Sequence, residues 1–249
     1  MTQNYISIDL ETTGLSPKLD KIIEIGAVKV HNGEIVDTFT SFINPGRKLS
    51  DKIVELTGIH DEDLAEASYI EEILPWLDEF MEDLPILGHS VMFDYKFLKK
   101  AALDNRRTFE KNAIDTLMIA RKYLAELEHR NLDYLCNYYQ IEHHAHRALE
   151  DAKATHYLYK KFLDLFYEKE CAEHTGEKNL FVPKKLTAEL KRDIPATKHQ
   201  KNLIYHLIRQ HNIILDLDVE RMTKSEASRL ENQIRTGQFG MISPEDGAK

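Results

Sequence analysis

Asp9 and Glu11 stand two residues apart in Ile6-Ser7-Ile8-Asp9-Leu10-Glu11-Thr12-Thr13-Gly14-Leu15. The alternation of apolar residues predicts a strand that ends in a turn. On a strand, residues two apart share a face, so both carboxylates point the same way and Ser7 with them. Neighbouring carboxylates repel each other and resist removal from water. A divalent cation removes both costs, and an oxygen-rich donor set suits Mg²⁺ or Mn²⁺. A strand end with a solvated acidic rim fits the same residues, so further donors must decide between the two.

Three more side chains offer themselves. Asp94 opens a helical pattern, where an acid also serves the helix N-terminus. Asp151 falls in the last long helical pattern, with Glu150 beside it as the alternative donor. His146 precedes Asp151 by five residues, a poor match to one helix face. The spacing works if His146 sits on the loop before the helix and Asp151 inside it. Carboxylates from three elements can then converge on a metal pair with an imidazole alongside. His143-His144-Ala145-His146 also reads as a transition-metal cluster, but no cysteine stands at a convincing spacing, and Cys136 reads as core.

The elements that must position these groups follow from periodicity. Strands are predicted over Tyr5–Asp9, Ile22–Val30 and Ile35–Ile43. The Asn32-Gly33 turn joins the last two as an antiparallel hairpin. Short helical turns cover Asp51–Leu64. Ser68-x-x-Glu71 reads as a capping box opening a helix to about Met81, with Ile73, Leu74, Leu77 and Phe80 as core. A short strand at Pro85–Leu87 leads into a helix from Val91 to Leu103. A second short strand at Ala113–Asp115 leads into a helix from Thr116 to Leu127, with Asp115 as its cap. A further helix begins at Asn131, and the longest runs from Ala148 to Phe166. A hairpin followed by alternating strands and helices predicts an α/β fold with a mixed sheet, whose chemistry sits at strand ends.

The 249 residues predict one large domain or a domain plus an appendage. Composition, 42% hydrophobic and 30% charged, is that of an ordinary globular chain. There is no apolar run of membrane-spanning length and no signal peptide is visible, so the expectation is a cytoplasmic protein with no membrane partner. Two cysteines make no disulfide framework. The net charge of −9 argues against a broad electrostatic grip on nucleic acid, but not against an enzyme that holds phosphates through metals.

Composition divides the chain into a domain at 1–167, a polar linker or extended arm at 168–195, a small helical module at 196–237 and a disordered tail at 238–249. In the module, Thr197-x-x-Gln200 and Thr223-x-x-Glu226 are capping boxes. Leu203, Ile204, Leu207 and Ile208 form one apolar face, and Ala227, Leu230 and Ile234 the other. From Lys184 to His211 there are seven Lys and Arg against two acids, which is either a solvated face or a phosphate contact.

IDLETTGL, GHSVMFD and HRALED, in that order and at these separations, resemble the three motifs of the DnaQ-like (DEDDh) 3′→5′ exonucleases. That superfamily includes the proofreading subunit of bacterial replicative polymerase and ribonuclease T. The resemblance covers roughly residues 5–166. Each motif alone is weak, and the ordered triple closed by His-x-x-x-x-Asp is specific. The family usually carries Asn where this chain has Ser90.

The resemblance implies a ribonuclease H-like mixed sheet flanked by helices. It also implies two-metal phosphodiester hydrolysis at single-stranded 3′ ends; the family contains both substrate classes and the motifs do not separate them, and DNA is expected ahead of RNA. By the resemblance, Asp9, Glu11, Asp94 and Asp151 hold two Mg²⁺ or Mn²⁺ ions and His146 is the general base. Thr12, Thr13, Gly14 and Leu15 contact the terminal nucleotide, with Leu15 wedged against a base, and His89 lies near the substrate. Proofreading, repair or end trimming follows, with a DNA polymerase subunit as a partner. The alternatives are RNA 3′-end trimming and a nucleic-acid or polymerase-tethering module whose nuclease centre is secondary. The motifs say nothing about residues 167–249.

Overall fold

A computed structural model describes residues 2–143 and 146–237. The strands are β1 (Tyr5–Thr12), β2 (Ile22–His31), β3 (Glu34–Phe42), β4 (Ile86–Gly88), β5 (Asn112–Asp115) and β6 (Lys184–Lys185). They form one sheet in the order β3-β2-β1-β4-β5-β6. The pairs β1–β2, β2–β3 and β5–β6 are antiparallel, while β1–β4 and β4–β5 are parallel. The helices are α1 (Asp51–Thr57), α2 (Asp61–Ala65), α3 (Ile70–Met81), α4 (Met92–Asp104), α5 (Thr116–Tyr123), α6 (Leu132–Tyr139), α7 (Ala148–Glu173), α8 (Lys198–His211) and α9 (Lys224–Arg235). The β2–β3 turn has positive φ at both Asn32 (52°) and Gly33 (80°), the geometry a two-residue hairpin with right-handed strand twist requires.

The alternation of β1 separates two apolar layers. Ile6, Ile8 and Leu10 face α3 and α4, with Leu77, Met81, Tyr95 and Leu98. Tyr5 faces the other way, with Leu158, Tyr159 and Phe162 of α7 and Ile119 of α5. Each such fully buried side chain contributes about 1.5–3 kcal/mol. The register pairs Tyr5 with Val30, Ser7 with Val28, Asp9 with Gly26 and Glu11 with Glu24, so all eight share the α7 face. Ser7 Oγ donates to the Ala152 carbonyl at 2.7 Å, and Tyr5 Oη lies 2.9 Å from His156 Nδ1, which lays α7 along β1.

Element boundaries differ from the sequence reading at four main places. Strand β1 runs on to Thr12, past the expected end at Asp9. The α3 cap is Tyr69, whose amide donates to Glu72 at 3.1 Å, in place of the Ser68–Glu71 box. The Ser68 carbonyl instead accepts from the Asn44 amide at 3.0 Å, which keeps Ser68 in extended chain. Helix α5 stops at Tyr123, short of Leu127. Helix α7 continues past Phe166 to Glu173 because Glu170, wholly buried, is bound by Lys122, by Tyr123 Oη and by the Leu180 amide at 2.9 Å. Within the polar stretch read as a linker or arm, Lys184–Lys185 then adds the sixth strand against β5.

Both C-terminal capping boxes form, at Thr197–Gln200 and Thr223–Glu226. Behind them Ile204, Leu207, Val219, Met222, Ala227, Leu230 and Ile234 make a separate apolar cluster. The tail expected to be disordered, 238–249, lies outside the described residues.

Candidate active site

Asp9 and Glu11 reach the α7 side near the end of β1, and the start of α7 comes down onto them. Gly26, on the rung opposite Asp9, makes this approach feasible: a Cβ there would stand 2.1 Å from both Ala148 C and Leu149 N. Glu24, one rung on, fixes the same turn. Its buried carboxylate accepts from Arg147 Nη2 at 3.0 Å and from the Ala148 amide at 3.1 Å. With α7 seated, Asp151 meets Asp9 and Glu11, and one oxygen from each lies within 4.8 Å of the others.

Asp94 enters from the opposite layer. The β1–β4 ladder pairs Ile6 with Ile86 and Ser7 with Leu87, and β4 ends at Gly88. Beyond that point Asp94 stands in the first turn of α4, close enough to Asp9 for its charge to act on that carboxyl. The four acids predicted from separate motifs therefore gather about the C-terminal half of β1.

The electrostatics are those of a site built for a cation. Burial, then Asp94, Asp151 and Glu11, raise the Asp9 carboxyl well above the carboxylate range. Burial, then Asp151 and Glu24, push Glu11 up to about 8, with Arg147 opposing. Burial raises Asp94 as well, against hydrogen bonds from its own amide and that of Leu10. Hard oxygen donors that repel one another in this way fit Mg²⁺ or Mn²⁺.

The histidines divide differently from the sequence reading. His143, not singled out as a site residue, reaches the acids: its Nε2 bonds Asp151, and its Nδ1 is 3.1 Å from Asp133 Oδ1. The bond to Asp151 raises the His143 imidazole above its ordinary range, against burial, and the Asp151 and Asp133 charges add to it. His146 meets Asp151 through its backbone, the amide donating to Oδ2 at 3.1 Å from a left-handed φ of 67°. His144 lies outside the described residues.

His89 is engaged on both ring nitrogens. Nε2 donates to the Arg130 carbonyl at 2.7 Å, and Nδ1 lies 2.9 Å from Thr116 Oγ1. It ties the end of β4 to α5 and to the chain before α6, and has no ring nitrogen left for a substrate. Ser90 beside it has φ 70°, a left-handed conformation that the family's usual Asn adopts more readily. Asp115 caps α5 through the Leu117 amide, as expected, and also holds the Ser90 amide at 3.0 Å.

In the β1–β2 loop, Thr12 Oγ1 donates to the Gly14 carbonyl at 2.7 Å, and Thr13 Oγ1 accepts from the Lys21 amide at 3.0 Å. A Cβ at Gly14 would meet the Asp20 carboxylate at 2.6 Å, so a larger residue there would displace that side chain. Leu15 is 86% exposed at the tip. Cys136 is core, its thiol pushed up to about 12 by burial and then by Asp133 and Asp151.

Sequence reasoning missed Gly26, Glu24, Arg147 and His143. The available signals were a glycine and an acid interrupting the apolar run Ile22–Val30, and the first imidazole of the histidine run.

A mixed sheet whose first strand gathers acids from both helical layers defines the DnaQ-like nuclease class. The chain belongs to the exonuclease family, whose model, described as "Exonuclease", matches residues 6–159. Over 166 residues it is 42% identical to DNA polymerase III PolC-type of Caldanaerobacter subterraneus subsp. tengcongensis, covering 66% of this chain and 12% of that one. With the PolC-type polymerase of Oceanobacillus iheyensis the identity is 34% over 246 residues, 94% of this chain and 17% of that one. At that coverage the match takes in most of the C-terminal helical pair. The chain thus spans a small part of the length of these relatives.

Solved structures share the fold. Exonuclease I superposes with a TM-score of 0.62 at 19% identity, over 71% of this chain and 45% of that one. Exonuclease X in complex with 5′ overhanging duplex DNA gives 0.56 at 22%, over 71% and 97%. The nuclease domain of 3′hExo, a DEDDh family member bound to rAMP, gives 0.57 at 21%, over 65% and 92%. Among the described residues no helix is long and apolar enough to cross a membrane.

Proposed function

We propose that this chain is a divalent-metal-dependent 3′→5′ exonuclease that removes nucleotides from single-stranded DNA ends. The observation that carries the reading is the meeting of Asp9, Glu11 and Asp151 oxygens within 4.8 Å of one another. Asp9, Glu11, Asp94 and Asp151 would hold two Mg²⁺ or Mn²⁺ ions. When bound, such ions acidify water and offset the negative charge that builds on the phosphate and the leaving 3′ oxygen.

The chain's own groups do the rest. His146 accepts the proton of the attacking water at a ring nitrogen, the part of a general base. Glu24 and Arg147 hold the first turn of α7, and hence Asp151, in place. The loop from Thr12 to Leu15 receives the terminal nucleotide, with the exposed Leu15 side chain against its base. His89 acts by fixing the chain before α6, without touching substrate. The PolC-type relatives support a DNA substrate and association with a polymerase. The 3′hExo neighbour bound to rAMP favours, as the second reading, RNA end trimming.

The test is digestion of matched 5′-labelled DNA and RNA oligomers with and without Mg²⁺ or Mn²⁺. The expected result is a cation-dependent ladder shortening from the 3′ end, stronger on DNA. Asp9→Asn should reduce it by about a thousandfold or more. Undiminished digestion by Asp9→Asn removes the assignment, and preference for the RNA oligomer replaces the first reading with the second.

A further inference from the structure

The apolar cluster of α8 and α9 draws only on residues 196–234 among the described residues, so its seam with the exonuclease domain is polar. The Lys48 amide donates to the Asp216 carbonyl at 3.2 Å, and the Asp218 amide to the Gly46 carbonyl at 3.1 Å. Arg221 pairs with Glu71 and stacks 3.3 Å above the Tyr69 ring. At the centre is Glu226, in the first turn of α9. Its Oε1 lies 2.6 Å from Arg47 Nη2 and 3.2 Å from Lys21 Nζ.

Both cations lead into the β1–β2 loop. Arg47 Nη1 donates to the Leu19 carbonyl at 3.2 Å. The Lys21 amide donates to Thr13 Oγ1 at 3.0 Å, and the Lys21 carbonyl accepts from the Thr13 amide at 2.9 Å. Asp20 Oδ2 accepts from the Ser16 amide at 2.9 Å and closes the turn that carries Leu15. Glu226 therefore grips the base of this loop by two routes. Its side chain is 13% exposed. Burial works to raise its carboxyl, but Lys21, the Thr223 amide and Arg47 outweigh it and hold the group down to about 2.

The geometry points to Glu226 as a positioning residue through which the C-terminal helical pair braces the strand-end-gripping loop and sets affinity for the 3′-terminal nucleotide. A loop that must order itself on binding weakens affinity, and one ordered beforehand does not. Loosening the brace thus raises KM and leaves the hydrolytic step alone. The ligand in this inference rests on the nuclease reading; the brace itself does not.

The test compares Glu226→Gln with Thr223→Ala in the full chain. Gln retains an acceptor for the Thr223 amide and hydroxyl, so the α9 cap survives while both ion pairs are lost. Thr223→Ala weakens the cap and spares the ion pairs. Glu226→Gln should speed amide hydrogen exchange over residues 13–21 and raise KM for a single-stranded DNA oligomer by about fivefold, with kcat within about twofold. Thr223→Ala should lower the unfolding temperature and leave both loop exchange and KM unchanged. Loop exchange unchanged in Glu226→Gln, or moved equally by Thr223→Ala, overturns the brace. A fall in kcat without a rise in KM overturns the affinity role. If the parent protein digests no oligomer, the nuclease reading fails and the exchange comparison still decides the brace.

Discussion

Gly26 and Ala148 are in backbone-to-backbone contact: a methyl group at Gly26 would stand 2.1 Å from the Ala148 carbonyl carbon. Neither side of this contact is a flexible side chain, so α7 itself would have to retreat. Gly26→Ala should destabilise the protein by about 3 kcal/mol, at the upper end for an overpacked core. Asp151 would move away with the helix and digestion should fall steeply. Urea unfolding and oligomer digestion check both. A variant with unchanged stability would mean that the two elements are not seated as described.

Arg147 is the counter-ion of a buried carboxylate, Glu24. Arg147→Met leaves that charge with the Ala148 amide and no cation, at a cost of about 3 kcal/mol. Glu24→Gln combined with Arg147→Met should be less destabilised than Arg147→Met alone, because the stranded charge is gone. Strict additivity of the two changes in urea unfolding would contradict this account.

The raised carboxyls set a pH dependence. Glu11 goes from an ordinary 4.5 to about 8 on folding, so between those values the folded chain binds more protons than the unfolded one. In chelator, stability is then full below about pH 4.5 and is lost as pH climbs through about 8, a change on the order of a few kcal/mol. Mg²⁺ or Mn²⁺ at a hundred times its dissociation constant should restore about 2.7 kcal/mol. At one fixed cation concentration the restoration should be larger at pH 8 than at pH 5, because protons compete with the cation for the carboxylates at the lower pH. Thermal unfolding across that range decides it, and stability that rises with pH in chelator would count against the site.

His143 and His146 should separate in a cation titration of the rate. His143 bonds the carboxylate that a cation would take, so His143→Ala should lower the Mg²⁺ needed for half-maximal rate. His146→Ala should cut kcat by about a hundredfold or more and leave that midpoint where it was. The reverse pattern would make His143 the base.

Where sequence was informative, the physics was local. The alternation in Ile6–Glu11 assigns Asp9 and Glu11 to one face, because the strand repeat is two residues whatever surrounds it. The Asn32-Gly33 turn and the Thr197 and Thr223 caps are equally local, since each is closed by hydrogen bonds within a few residues. The Ser68 cap failed because a distant amide, that of Asn44, claimed its carbonyl.

The primary sequence alone singled out four candidate acids, through three motifs whose residue types and order carry the family resemblance. Only the tertiary structure decided that they meet, because the meeting depends on contacts between residues far apart in the chain. Gly26 admits α7 to the sheet, Glu24 binds Arg147, and α4, following β4, brings Asp94 beside Asp9. The choice between imidazoles is of the same kind: a short histidine run has no periodicity to aim its rings, and packing against Asp133 and Asp151 turns His143 inward.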